Sequence, residues 1–123
     1  MKKTILIIED DEFLKGLEAK KIEQEGYIVL VANNSTEAFK HIDKTNSIDL
    51  IILDLLLTGA DGYEILRMLK DNPKASMIPV IIFSNLSEKK DIKKANELGV
   101  NDFFVKSSFT LDELVKKIKG LIG

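Results

Sequence analysis

Three features of the sequence predict an α/β fold, a single doubly wound five-stranded parallel sheet with helices on both faces. Five short apolar runs recur along the chain, at residues 4–8, 27–32, 50–53, 80–83 and 103–105. Most are continuous in Ile, Val and Leu, as strands covered on both faces are. Each is followed by a polar stretch whose apolar positions have helical spacing, and that alternation builds a parallel sheet. The chain has 123 residues, which is one domain at roughly 100–200 residues per domain. Residues 1–123 are therefore read as one domain without a linker, a low-complexity stretch or a repeat.

The first run, TILII, follows Lys2 and Lys3 and briefly imitates an export signal. It ends in Glu9, Asp10, Asp11 and Glu12, so the apolar core of a signal is missing and a cytoplasmic chain is expected. A helix follows over 12–25, with Leu14, Leu17 and Ile22 on its inner side and Gly26 as its stop. The second helix, 35–44, is capped by Asn34 or Ser35 and carries Ala38, Phe39 and Ile42. The third, 63–71, carries Ile65, Leu66 and Leu69 and ends at Asn72-Pro73, because the residue before proline is pushed out of the α region. Ser87 is read as the cap of a helix over 88–98, with Ile92, Ala95 and Leu98 inward and Gly99 as the stop. Thr110 and Glu113 have capping-box spacing and open the last helix, which carries Leu111, Leu114, Val115 and Ile118. That helix runs to the chain end, so no output domain is expected within these residues.

Composition removes several classes of function. The chain is 45% hydrophobic and 31% charged with mean hydropathy near zero, which excludes a disordered tail, a collagen-like chain and a membrane protein. Its apolar runs are strand-length, far short of a span. It has no cysteine, so disulfides, Cys-ligated zinc and thiol catalysis are excluded. Residues 1–84 carry 10 basic and 14 acidic side chains, residues 85–123 carry 8 and 6. Neither part has the strong positive field of a nucleic-acid binder, and no direct nucleic-acid or membrane contact is expected.

In open α/β sheets, ligands bind beyond the carboxyl ends of the strands. The first run is followed there by Glu9, Asp10, Asp11 and Glu12, the third by Asp54, the fourth by Ser84 and the fifth by Lys106. Close carboxylates repel unless a cation joins them. Mg²⁺ suits them, because it takes oxygen ligands and is held by one or two carboxylates plus a substrate phosphate. A carboxylate can attack phosphorus to form an acyl phosphate. The transferring group then needs positive charge and donors on its equatorial oxygens, and magnesium, Lys106 and Ser84 would provide these. The set reads as phosphoryl transfer onto an aspartate. Each member also has a plainer reading: Asp10 and Asp11 could charge a helix N-terminus, Asp54 could be a turn aspartate, and strand-end serines and lysines are common.

The motifs ILIIEDDE, LIILDLLLTGADGYEIL, VIIFSN and FFVK, spaced 43 residues from Asp11 to Asp54, 30 to Ser84 and 22 to Lys106, resemble the receiver domain of two-component response regulators over essentially the whole chain. The resemblance is nearest to stand-alone regulators of chemotaxis type. It implies a flavodoxin-like strand order 2-1-3-4-5. It implies a cytoplasmic signalling protein, not an enzyme beyond its own phosphorylation and dephosphorylation. Asp54 would be the phosphoacceptor, Asp10 and Asp11 the acidic pair for Mg²⁺, and Leu56 the donor of a backbone carbonyl to the metal. Ser84 would be the switch hydroxyl, Lys106 the family's lysine and Phe103 the aromatic switch. The implied partners are a sensor histidine kinase or phosphotransfer protein. Downstream, a protein target or a second copy would meet the face of the fourth helix, fifth strand and fifth helix.

Three positions depart from the pattern. Thr58 stands where the family usually has proline, in a loop that keeps Gly59 and Gly62. Ser107 stands where a cis-proline usually follows the lysine, and Asn85 replaces a small residue after the switch hydroxyl. None removes a chemical group. They leave open an alternative in which a degenerate receiver binds partners without phosphorylation. A haloacid-dehalogenase-type phosphatase would need a second aspartate two residues after Asp54, where Leu56 stands. A nucleotide-binding domain would need a glycine-rich turn where EDDE stands. His41 and the lysines at 89, 90, 93 and 94 are read as solvated helix surface.

Overall fold

The computed structural model describes residues 2–45, 47–58 and 60–123. One parallel sheet is built from β1 (Thr4–Ile8), β2 (Ile28–Ala32), β3 (Ile48–Leu53), β4 (Val80–Ser84) and β5 (Asp102–Val105). Its order is β2-β1-β3-β4-β5, as the resemblance implies. The helices are α1 (Glu12–Gln24), α2 (Ser35–Lys44), α3 (Gly62–Asp71), α4 (Lys89–Glu97) and α5 (Leu111–Ile122). Period-two alternation divides the buried strand residues between two cores. Ile5, Ile7, Leu50, Ile52, Ile81, Phe83 and Phe104 pack with Ile22 of α1 and Leu114, Val115 and Ile118 of α5. Leu6, Ile8, Ile51, Leu53, Val80 and Ile82 pack with α2, α3 and Ala95 of α4. Every residue of β1 and β4 is buried, which is why those runs read as continuous and not alternating.

Two helical details differ from the expectation. Leu17 does not face inward on α1. It is 42% exposed, while Lys15, Glu18 and Ile22 form the buried stripe and Leu14 is half-buried. Glu18 and Ile22 are four apart and share a face, whereas Leu17 lies about 100° round from Glu18 at 3.6 residues per turn. A count of apolar residues hides this, because two of the buried three are ionisable residue types. Ser87 does not cap α4. Glu88 holds the cap position in extended conformation without a side-chain cap bond, and the helix starts at Lys89. The capping box of Thr110 and Glu113 is formed in full.

Between β3 and α3 the chain makes a two-stranded hairpin, Leu56–Leu57 with Ala60–Asp61, which the run pattern does not predict. Gly62 closes it against the backbone. A Cβ there would lie 2.3 Å from the Cα of Leu55 and 2.6 Å from its carbonyl oxygen. Neither atom can yield without moving the loop that follows Asp54. Gly62→Ala is expected to cost about 3 kcal/mol, in the upper range of overpacking penalties. Urea denaturation measures it, and a loss below about 1 kcal/mol would mean the hairpin adapts freely.

Candidate functional site

The strand ends that meet are set by the same alternation that fills the core. Glu9 continues the side of Ile5 and Ile7, Asp54 that of Leu50 and Ile52, and Lys106 that of Phe104. All three therefore emerge on the α1/α5 side, one step beyond the last apolar residue. Lys106 Nζ donates to Asp54 Oδ2 at 2.7 Å and also to Glu9 Oε1. Glu9 is 2% exposed and Asp54 6%. Asp54 is held further by its own N–H, which donates to the Ile8 carbonyl at 3.1 Å, and by the Leu56 N–H, which donates to Oδ1 at 2.9 Å. Burial lifts the Glu9 carboxyl above its ordinary range despite the bond from Lys106. Burial disfavours the Lys106 ammonium too, but Asp54 and Glu9 together outweigh that and hold it above its ordinary range. A buried cation between two buried carboxylates is retained only because each partner satisfies the other.

Asp10 and Asp11 are placed differently from each other. Asp10 accepts the Thr58 N–H across 48 residues of sequence. Bonds from Thr58 outweigh a burial penalty and hold the Asp10 carboxyl below its ordinary range. Asp11 is exposed and serves as the N-cap of α1, its Oδ1 accepting the Leu14 N–H at 3.0 Å. The plainer reading applies to it. Glu9, not Asp11, is the acid beside Lys106 and Asp54. Its signal was in the sequence: it stands two residues after Ile7, on the side where the alternation directs Asp54.

Ser84 and Phe103 lie on the opposite side, with Ile82 and the core that α4 covers. Ser84 is fully buried, and its Oγ accepts the Leu86 N–H at 3.4 Å. It is paired in register with Val105, and Phe103 is paired with Ile82. Phe103 is half-buried and already packs against the α2–α4 core.

With this geometry in place, comparison with known proteins is decisive. A family model for the response regulator receiver domain matches residues 5–119. This chain belongs to the response regulator receiver domain family. The transcriptional regulatory protein CusR of Escherichia coli is 31% identical over 118 residues, 96% of this chain and 50% of that protein. The chain thus spans about half the length of such relatives. A putative response regulator from Chloroflexus aurantiacus J-10-fl has a TM-score of 0.88 at 28% identity, covering 99% of this chain and 98% of that one. A response regulator solved in its Mn(2+)-bound form has a TM-score of 0.79 at 27% identity, covering 96% and 90%. The charge-based expectation of no nucleic-acid contact has no support from these relatives, CusR being named a transcriptional regulatory protein.

The receiver's departures from the family pattern compensate for themselves. A proline has no N–H, so Thr58 and Ser107 each introduce a donor where the family usually has none. The Thr58 N–H goes to Asp10, and the Ser107 N–H donates to Asn85 Oδ1 at 3.1 Å. Asn85 and Ser107 are therefore one feature. The Lys106–Ser107 bond is trans, and residues Lys106–Ser108 turn as a short 3₁₀ helix. Gly59 of this loop lies outside the described residues.

The expected crowding of Asp10, Asp11 and Asp54 around a cation is not what the receiver shows. Among the described residues, no three Asp, Glu, His or Cys side chains are grouped to hold an ion. Lys106 joins Glu9 and Asp54, Thr58 takes Asp10, and α1 takes Asp11, so each carboxylate is answered separately. The donor chemistry still suits a hard divalent cation, since Asp54 brings carboxylate oxygens to the backbone of Leu56 and Asp10 brings its own to Thr58 of the same loop. No described helix is long and apolar enough to cross a membrane.

Proposed function

We propose that this receiver accepts a phosphoryl group on Asp54 from a histidine kinase or phosphotransfer protein, with Mg²⁺. We further propose that it responds by changing the face formed by α4, β5 and α5, where a downstream protein or a second copy docks. The observation that carries the reading is the salt bridge of Lys106 to Asp54 at 2.7 Å, between two side chains that are about nine-tenths buried. An Asp54 oxygen attacks phosphorus as the bond to the donor nitrogen breaks, and the nitrogen keeps the electron pair. Lys106 already stands at the oxygen of Asp54 and follows the charge as it spreads onto the phosphoryl oxygens. The Leu56 N–H at Oδ1 fixes the carboxylate orientation for attack. Asp10, Asp54 and the Leu56 carbonyl would hold Mg²⁺, with Asp11 left out because its carboxylate caps α1. The metal, when bound, supplies positive charge to the transferring group.

The switch follows from the second side of the sheet. A phosphoryl group brings about two negative charges and three strong acceptors. Ser84 makes only a long 3.4 Å bond to Leu86, and it is the last residue of β4, beside β3, so its hydroxyl can turn past the strand end toward a phosphoryl group on Asp54. Phe103 lies on the same side of the adjacent strand and repacks beside it. The phosphorylation-independent alternative rests on Thr58 and Ser107 in place of prolines; their N–H groups bond to Asp10 and Asn85, and a phosphoryl mimic separates the two readings.

Beryllofluoride with Mg²⁺, as a phosphoryl stand-in, tests the reading. Amide signals in residues 84–94 and 103–107 should shift in the wild type and stay fixed in Asp54→Ala. In Ser84→Ala the shift at Phe103 should be much smaller. Binding at Asp54 that leaves both segments unchanged would favour a passive binding module.

A further inference from the structure

We propose that the groove between α1 and the start of α5 binds a small amphiphilic cation, an aromatic or short aliphatic body carrying one ammonium or amidinium group. The groove holds about 290 Å³, just below the roughly 300–1,000 Å³ typical of small-molecule sites, so it suits a small ligand. Leu14 and Leu17 of α1 face Phe109 and Leu111 across it, with Glu18 and Lys106 at its polar end. Glu18 is 2% exposed, and its Oε2 is buried without a hydrogen-bond partner. A buried carboxyl oxygen left unpaired is costly, and the phosphoryl chemistry makes no use of this one. The exposed Leu17, unexplained by the packing of α1, is accounted for as a wall of the same groove.

The charge around Glu18 selects the ligand. Glu9, Asp54 and Asp11 act on it as anions and Lys106 as the cation. Lys106 already serves Glu9 and Asp54, so the region carries more negative than positive charge. A monocation fits that field, and its apolar body fits the leucine and phenylalanine walls. Burial keeps the carboxyl protonated up to about pH 8. On binding at neutral pH the Glu18 O–H bond therefore breaks, its proton leaves to solvent, and the carboxylate pairs with the ligand's N–H donors.

The test uses the whole chain, labelled with ¹⁵N at pH 7.5, titrated with benzamidine and separately with neutral benzamide. Benzamidine should shift residues 14–18 and 107–111 saturably. Benzamide, of the same shape without the charge, should bind at least about tenfold more weakly, a difference of about 1.4 kcal/mol. Glu18→Gln should weaken benzamidine by a similar factor while still binding beryllofluoride at Asp54, which shows that its fold is intact. Equal affinity of the two probes would overturn the proposal, because the groove would then be merely apolar, as a surface for a partner's side chain is. Equal affinity of wild type and Glu18→Gln for benzamidine, or no saturable shift, would overturn it as well. The proposal stands apart from the phosphoacceptor reading, since neither probe engages Asp54.

Discussion

Lys106→Ala should cost the fold about 3 kcal/mol at pH 7.5, the lower end of what breaking a buried ion pair from one side costs. The reason is what it leaves behind. Glu9 and Asp54 are 2% and 6% exposed and share this one ammonium. Burial already raises the Glu9 carboxyl above 4.5, and the bond from Lys106 is the main influence pulling it back. Without Lys106 the folded state holds a proton on Glu9 more tightly than the unfolded chain does. A raised folded pKa is a contribution present at low pH and lost as pH rises. The deficit of the variant should therefore be smallest below pH 4.5, where Glu9 is protonated in both states, and grow toward neutrality. Urea midpoints across that range measure it. A deficit independent of pH would reduce Lys106 to a packing residue, and none at all would remove the ion-pair account of the site.

Glu18→Gln should behave in the opposite way and stabilise the protein as pH rises. Burial pushes the Glu18 carboxyl from 4.5 up to about 8. Folded protein thus keeps a proton that the unfolded chain has given up between those values. Each pH unit in that window costs the wild type about 1.4 kcal/mol, on the order of 3 kcal/mol by pH 7. Above pH 8 both states are ionised and the loss levels off. Glutamine matches the shape and does not titrate. The two proteins should unfold at similar urea concentrations near pH 4.5, and the variant should be clearly the more stable at pH 8. Parallel pH profiles would show that Glu18 is not held protonated in the fold.

The sheet was legible because its inner strands β1, β3 and β4 are buried on nearly every residue, and a continuous apolar run of four to six residues fits few places but a covered strand. The position of Asp54 was legible for the same reason, directly beyond such a run, whereas Lys106 follows the shorter, half-buried apolar run of β5. The acidic cluster after β1 was not, because four consecutive acids offer no apolar neighbour to fix which of them turns inward. Carrying the alternation of Ile5 and Ile7 one step further selects Glu9, and the cap geometry of α1 then claims Asp11. The inner face of α1 was misread at Leu17 because Lys15 and Glu18 occupy buried positions that apolar counting overlooks. Lys15 is buried through bonds to Glu12 on the same helix at 2.8 Å and to Asn33, and the second partner becomes visible only when α1 and the end of β2 are brought together. The link of Asn85 to Ser107 joins two departures 22 residues apart, and only the adjacency of β4 and β5 shows that one answers the other.

The central claim is that Asp54 is the phosphoacceptor, and intact-mass spectrometry after incubation with acetyl phosphate and Mg²⁺ tests it most directly. The wild type should gain the mass of one phosphoryl group, lose it in hydroxylamine and gain nothing when the metal is chelated, while Asp54→Asn should gain nothing under any condition. A wild type that takes up no phosphoryl group, or an Asp54→Asn protein that still does, would contradict the account.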